Sequence, residues 1–109
     1  KGEDRVVLYG AGKVGKAYME QNLKYNFCNI IFWADKDFEI KESKEGTIGN
    51  PQCIKEYDYD YVVIAIDKYE TALSVKEELC NMAISEEKII WHSTRRSTSN
   101  LHTGKKVIR

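Results

Sequence analysis

No apolar run in this sequence approaches the ~18 residues needed to cross a bilayer, and no charged-then-apolar leader opens it. The expected place is therefore the cytoplasm, or the cytoplasmic part of a membrane-associated protein. Cysteine is scarce. Cys28, Cys53 and Cys80 are odd in number, widely spaced and never paired as C-x-x-C. That pattern excludes a disulfide frame or a zinc ribbon and reads as reduced thiols. There are only two histidines, His92 and His102, so no metal site is expected. The formal net charge is zero, which removes any global field toward nucleic acid or membrane. The balance is uneven along the chain, however. Arg95, Arg96, Lys105, Lys106 and Arg109 all follow His92, and every acidic residue precedes it. This basic stretch is short and lacks interleaved aromatics, so no nucleic-acid partner is expected. With 109 residues the chain makes one domain with one real core, small for a complete dinucleotide-dependent enzyme. It begins Lys1-Gly2 rather than with Met, which reads as a piece of a longer polypeptide.

What is present centres on Val6-Val7-Leu8-Tyr9-Gly10-Ala11-Gly12-Lys13-Val14-Gly15. An apolar strand pattern runs into G-x-G-x-x-G, and the loop opens into a helical pattern. This is the opening of a dinucleotide-binding βαβ unit. Gly10 permits the turn off the strand, Gly12 lets a pyrophosphate lie against bare backbone, and Gly15 allows helix and strand to approach closely. Unpaired N–H groups and the positive end of the helix dipole then face the phosphates. The candidate binding residues are Gly10, Ala11, Gly12, Lys13, Val14 and Gly15. Asp35, 20 residues after Gly15, ends the second strand pattern. An acid at that place accepts hydrogen bonds from a ribose hydroxyl and repels a 2′-phosphate, favouring NAD over NADP. Lys36 beside it weakens that preference. The alternative reading is an acid that merely starts the turn Asp35-Lys36-Asp37.

The rest of the chain reads β-α-β-(β)-β-α-β. Strands are expected at Arg5 to Tyr9, Asn29 to Ala34, Val62 to Ile66 and Lys88 to Trp91, with a short extra one near Thr47-Ile48. Helices are expected from Lys13 to about Tyr25 and after Asp67, which caps the second with Glu70 three residues on. In the first, Val14, Ala17, Tyr18, Gln21 and Tyr25 form the inward face. Pro51 to Glu56 reads as one or two helical turns. This predicts an α/β fold: a three-layer, Rossmann-like domain over residues 1–91, its parallel sheet ordered 3-2-1-4-5 by right-handed crossovers. Residues 92–109 are left as a basic polar tail or linker. A crevice should open where strand order reverses, bringing Gly10 to Gly15, Asp35 and Asp67 together.

Val-Leu-Tyr-Gly-Ala-Gly-Lys-Val-Gly, Phe-Trp-Ala-Asp-Lys-Asp, Ile-Gly-Asn-Pro and Asp-Tyr-Val-Val-Ile-Ala-Ile together resemble short Rossmann-like domains of bacterial surface-polysaccharide pathways. Such domains precede the catalytic part of nucleotide-sugar dehydratases and epimerases, open sugar acyltransferases, or are fused to glycosyltransferases. The resemblance covers roughly Arg5 to Trp91. It implies a phosphate loop at Gly10, Ala11, Gly12 and Gly15, a ribose-binding Asp35, a turn at Gly49 and Pro51, and a cleft residue at Asp67. The acyltransferase-type domains carry a His in the glycine loop. Lys13-Val14 stands there in this chain.

No catalytic constellation is visible. Lys68 and Tyr69 are adjacent and so cannot form the Tyr-x-x-x-Lys pair of short-chain dehydrogenases. Ser93, Thr94 and Ser97 near His92 have no evident acid partner or oxyanion hole. The expectation is a domain that binds NAD, NADP or a nucleotide-sugar and is joined to a further domain of the same polypeptide. A homo-oligomer is a further expectation. The competing expectation is a non-catalytic interaction module that has lost its nucleotide. A complete small dehydrogenase ranks third.

Overall fold

A computed structural model describes residues 3–93 and the backbone of 96–99. Strand β1 spans Arg5–Tyr9, β2 Asn29–Ala34, β3 Tyr61–Ala65, β4 Ile89–Ser93 and β5 Arg96–Ser99. Helix α1 spans Lys13–Tyr25 and α2 Tyr69–Asn81. The sheet order is β2-β1-β3-β4-β5. The first four strands are parallel and β5 is antiparallel to β4.

The strands follow from alternation of apolar side chains on both faces. Val7, Tyr9, Val62, Ile64, Ile89 and Trp91 pack under Ala72, Val75 and Leu79 of α2. Val6, Leu8, Val63, Ala65 and Ile90 pack under Val14 and Met19 of α1. The near-continuous apolar β1 and β3 are thus covered on both sides, as parallel strands require, and the domain has three layers. The buried positions of α1 are Val14, Gly15, Met19 and Asn22, a face rotated from the expected one. Tyr25 lies outside it, 65% exposed. Asn26 ends α1 in the left-handed region (φ 52°), its N–H donating to the Asn22 carbonyl at 2.7 Å. Asn tolerates this conformation better than most residues. The buried Asn22 side chain then accepts from the Cys28 N–H at 2.9 Å, fixing the entry to β2.

Three expectations are corrected. The order is not 3-2-1-4-5, because Thr47-Ile48 does not form a strand. The chain touches the outer edge of β2 at one residue, Gly49, which bridges to Ala34. The Gly49 N–H donates to Trp33 and its carbonyl accepts from Asp35. Asn50 and Pro51 then turn the chain away: the Asn50 side chain caps Gln52 N–H, and Pro51 begins a 3-10 helix over Pro51–Glu56. Its Ile54 is fully buried beside α2, where a longer helix was not needed to close the core. Second, Asp67 is not the cap of α2. The helix begins at Tyr69, with Lys68 at the cap position and no side-chain cap bond. Third, the sheet runs past Trp91. His92 and Ser93 belong to β4, and Arg96–Ser99 add β5, with Ser93 opposite Arg96 and Trp91 opposite Ser99. The remainder of the expected tail, Thr94, Arg95 and 100–109, lies outside the described residues. No helix among the described residues is long and apolar enough to cross a membrane.

Candidate functional site

The chain leaves β1 toward β2 on one side, and β3 toward β4 on the other. Strands β1 and β3 are neighbours, so the two loops at their carboxyl ends diverge and leave a crevice between them. The first loop is Gly10-Ala11-Gly12. Gly10 has φ +120°, and a Cβ there would stand 2.6 Å from the Ala65 carbonyl oxygen. The close approach of the β1 and β3 loop backbones therefore demands glycine. Each loop is held from below by a tryptophan. Trp33 Nε1 donates to the Gly10 carbonyl at 2.7 Å, and Trp91 Nε1 donates to the Ile66 carbonyl at 2.6 Å. Replacing Trp33 by Phe keeps the ring but leaves the buried Gly10 oxygen without that donor. The expected loss is about 1–3 kcal/mol, read as a lower midpoint in urea.

Asp35 lies at the rim, as expected, but it faces the protein first. It is only 6% exposed. Its Oδ2 accepts from the Ala11 N–H at 2.7 Å, and its Oδ1 accepts from the Asp37 N–H at 2.7 Å. Lys41 Nζ stands 3.4 Å from Oδ2. The carboxylate therefore ties the glycine loop to the loop after β2. A carboxylate has about four lone-pair sites, so capacity remains for a hydroxyl at its small exposed edge.

Between these loops and α2 lies a cavity of about 450 Å³, within the range of small-ligand sites. Of the residues expected at the site, Gly10, Gly12, Lys13, Val14, Asp35, Lys36 and Asp67 line it. Ala11 does not, since its N–H is turned to Asp35. Gly15 does not either; it is packed against Gly10. Sequence reasoning missed the far wall, which is Thr71, Ser74, Val75 and Glu78 of α2. It also missed Lys41. No motif marks those positions; helical spacing after the β3 loop was the one available signal.

The electrostatics are mixed. Helix α1 begins at Lys13, with Gly12 at the cap position, no side-chain cap and no acid in its first turn, so its free N–H groups are left for an anion. The opposite wall is acidic and polar. Tyr9 donates to Glu78 at 3.3 Å; burial first, then the Glu78 charge, pushes the phenol pKa well up. At the end of β4, His92 meets Tyr18 edge to face, ring centroids 5.0 Å apart. Burial pulls its pKa below the usual imidazole value, while the Asp67 charge acts the other way.

A second, larger groove of about 630 Å³ runs along the outer edge of β2, lined by Leu23, Ile31, Phe32, Gly46 and Tyr57 among others. None of Gly10 to Gly15 lines it, and it presents no helix N-terminus. Size alone does not choose between the two. The convergence of free N–H groups and the switch point select the smaller.

A family model, described as C2185-like, N-terminal, matches residues 2–90. The chain belongs to the C2185-like N-terminal family. The matched span includes both lips of the crevice and stops within β4. No curated protein matches this C2185-like domain. Among solved structures it is similar to UDP-D-quinovosamine 4-dehydrogenase from Vibrio fischeri, with a TM-score of 0.61 and 17% identity over 96% of this chain and 88% of that one. At that identity the likeness concerns the fold, which is the Rossmann-like α/β architecture.

Proposed function

We propose that this C2185-like domain binds a nucleotide through its diphosphate, with NAD, NADP or a nucleotide-sugar as the ligand. The observation that carries the reading is the state of Gly12. It is exposed at the head of α1, and a Cβ there would meet nothing nearer than Lys41 Nζ at 3.9 Å. The backbone is bare on the side that opens into the crevice, beside uncapped N–H groups. The solved relative named for a UDP-sugar dehydrogenase supports the sugar-nucleotide side of the proposal. In this reading the domain supplies binding within a larger protein of bacterial surface-polysaccharide or sugar metabolism. It performs no chemistry itself.

Calorimetric titration with NAD, NADP and UDP-sugars should give a Kd in the micromolar range or tighter for one of them, and Gly12→Val should abolish it. Silence from every ligand rejects the reading. The second reading, a non-catalytic interaction module, is favoured by one observation: the groove on the outer edge of β2, where exposed Leu23 and the ring of Tyr57 flank a strand that itself carries no charge, with Glu45 the one charged residue of the lining. It predicts no ligand and a stable oligomer by light scattering.

A further inference from the structure

Resting on the diphosphate reading above, we infer that Lys41 is a ligand-binding residue, the cation that meets the phosphates of a bound nucleoside diphosphate. Lys41 belongs to the irregular segment that follows β2. That segment is folded into tight turns: the Phe38 N–H donates to the Asp35 carbonyl, and the Ile40 and Lys41 N–H groups donate to that of Asp37. The turns bring Lys41 back over the glycine loop. Its Nζ is 3.4 Å from Asp35 Oδ2, and 3.9 Å from the point where a Cβ on Gly12 would stand. The ammonium therefore hangs above the one glycine of the loop that has open space beside it. An ammonium has three donors, and its bond to Asp35 uses one.

That bond is also the weaker of the two made to the same oxygen. Ala11 N–H holds Oδ2 at 2.7 Å, while Lys41 lies at 3.4 Å with its side chain one-third exposed. The carboxylate thus stays satisfied if the ammonium turns toward a ligand. Lys13 and Lys36 also line the crevice, but both are exposed to solvent, where a charge acts more weakly. Lys41 also offsets the Asp35 charge, which otherwise repels an anion laid on the loop. The assigned ligand class is a nucleoside diphosphate unit, shared by dinucleotides and nucleotide-sugars.

The test is calorimetric titration of the whole chain and its Lys41→Met variant with ADP and UDP, at low and high salt. Wild-type protein should bind one of the two. Lys41→Met should bind it at least tenfold more weakly, and the deficit should shrink as salt rises. Lys41→Arg should restore most of the affinity. Thermal melts without ligand establish that the variants are folded; Lys41→Gln, which also removes the charge, carries the comparison if Lys41→Met is not. Wild-type binding with undiminished affinity in Lys41→Met overturns this inference and leaves the nucleotide reading standing. Wild-type protein that binds neither ADP nor UDP overturns this inference; the nucleotide reading falls only if NAD, NADP and UDP-sugars are silent as well.

Discussion

Gly15→Ala is expected to be the most damaging single-methyl change in the domain. An added Cβ would lie 1.8 Å from the Gly10 carbonyl oxygen and 2.6 Å from its carbon. Both are backbone atoms, and neither can step aside. The oxygen is held by Trp33 Nε1, and the Gly10 N–H is bound to the Ala34 carbonyl at 2.8 Å. Relief requires α1 to lift off the sheet, which opens the packing of Val14 and Met19 on Val6, Leu8 and Val63. Overpacking of a core usually costs about 1–3 kcal/mol. With immovable backbone on one side, about 3 kcal/mol or more is expected. Against a typical total of about 5–15 kcal/mol, that lowers a urea midpoint by roughly 1–3 M. Gly12→Ala is the control. Its Cβ meets only the end of a flexible lysine, at ordinary contact distance, so the midpoint should stay close to wild type. Equal losses in the two variants would mean that the glycines do not divide the work this way.

This contrast also marks what the sequence could and could not disclose. The strand-glycine-helix order and the acid after β2 were legible because each residue type has a local conformational reason. The boundaries of β1, α1 and β2 follow the apolar and turn pattern closely for the same reason. The division of labour inside the loop was not legible. It depends on distances from Gly10 to Ala65 and from Gly15 to Gly10, which arise only when β3 and α1 are in place. The failed extra strand has a similar cause. Thr47-Ile48 is β-branched and reads as extended, yet Gly49, pressed against the Phe32 ring, and Pro51 let the chain touch β2 for only one residue. Strand β5 was missed because Arg96-Ser97-Thr98-Ser99 carries no apolar alternation, and edge strands often do not. Lys41 was missed because its loop has no periodicity. Only the turns at Asp35 and Asp37 bring it over Gly12.

Asp35→Ala should destabilise the protein without any nucleotide present, which separates its structural work from any role toward a ribose. The carboxylate accepts two backbone N–H groups, those of Ala11 and Asp37, on different oxygens. The first is buried, and alanine offers neither an acceptor. An orphaned buried donor costs about 1–3 kcal/mol, and the Asp37 N–H, on an exposed residue that water reaches, adds less. Lys41 also loses its ion partner, a smaller effect at a partly exposed site. Asp35→Asn keeps one acceptor and turns an amide N–H₂ toward one of the two donors, so its loss should be intermediate. Urea unfolding of the three proteins in ligand-free buffer should therefore rank wild type, Asn, Ala in falling order. A flat series would mean the glycine loop holds its shape without this carboxylate. Because the same bonds set where Ala11 and Gly12 stand, weaker nucleotide binding by Asp35→Ala would not by itself identify a ribose contact. A ribose contact is indicated if Asp35→Asn binds ADP more weakly than wild type at a temperature where both are fully folded, and if removing the ribose hydroxyls from the ligand erases the difference.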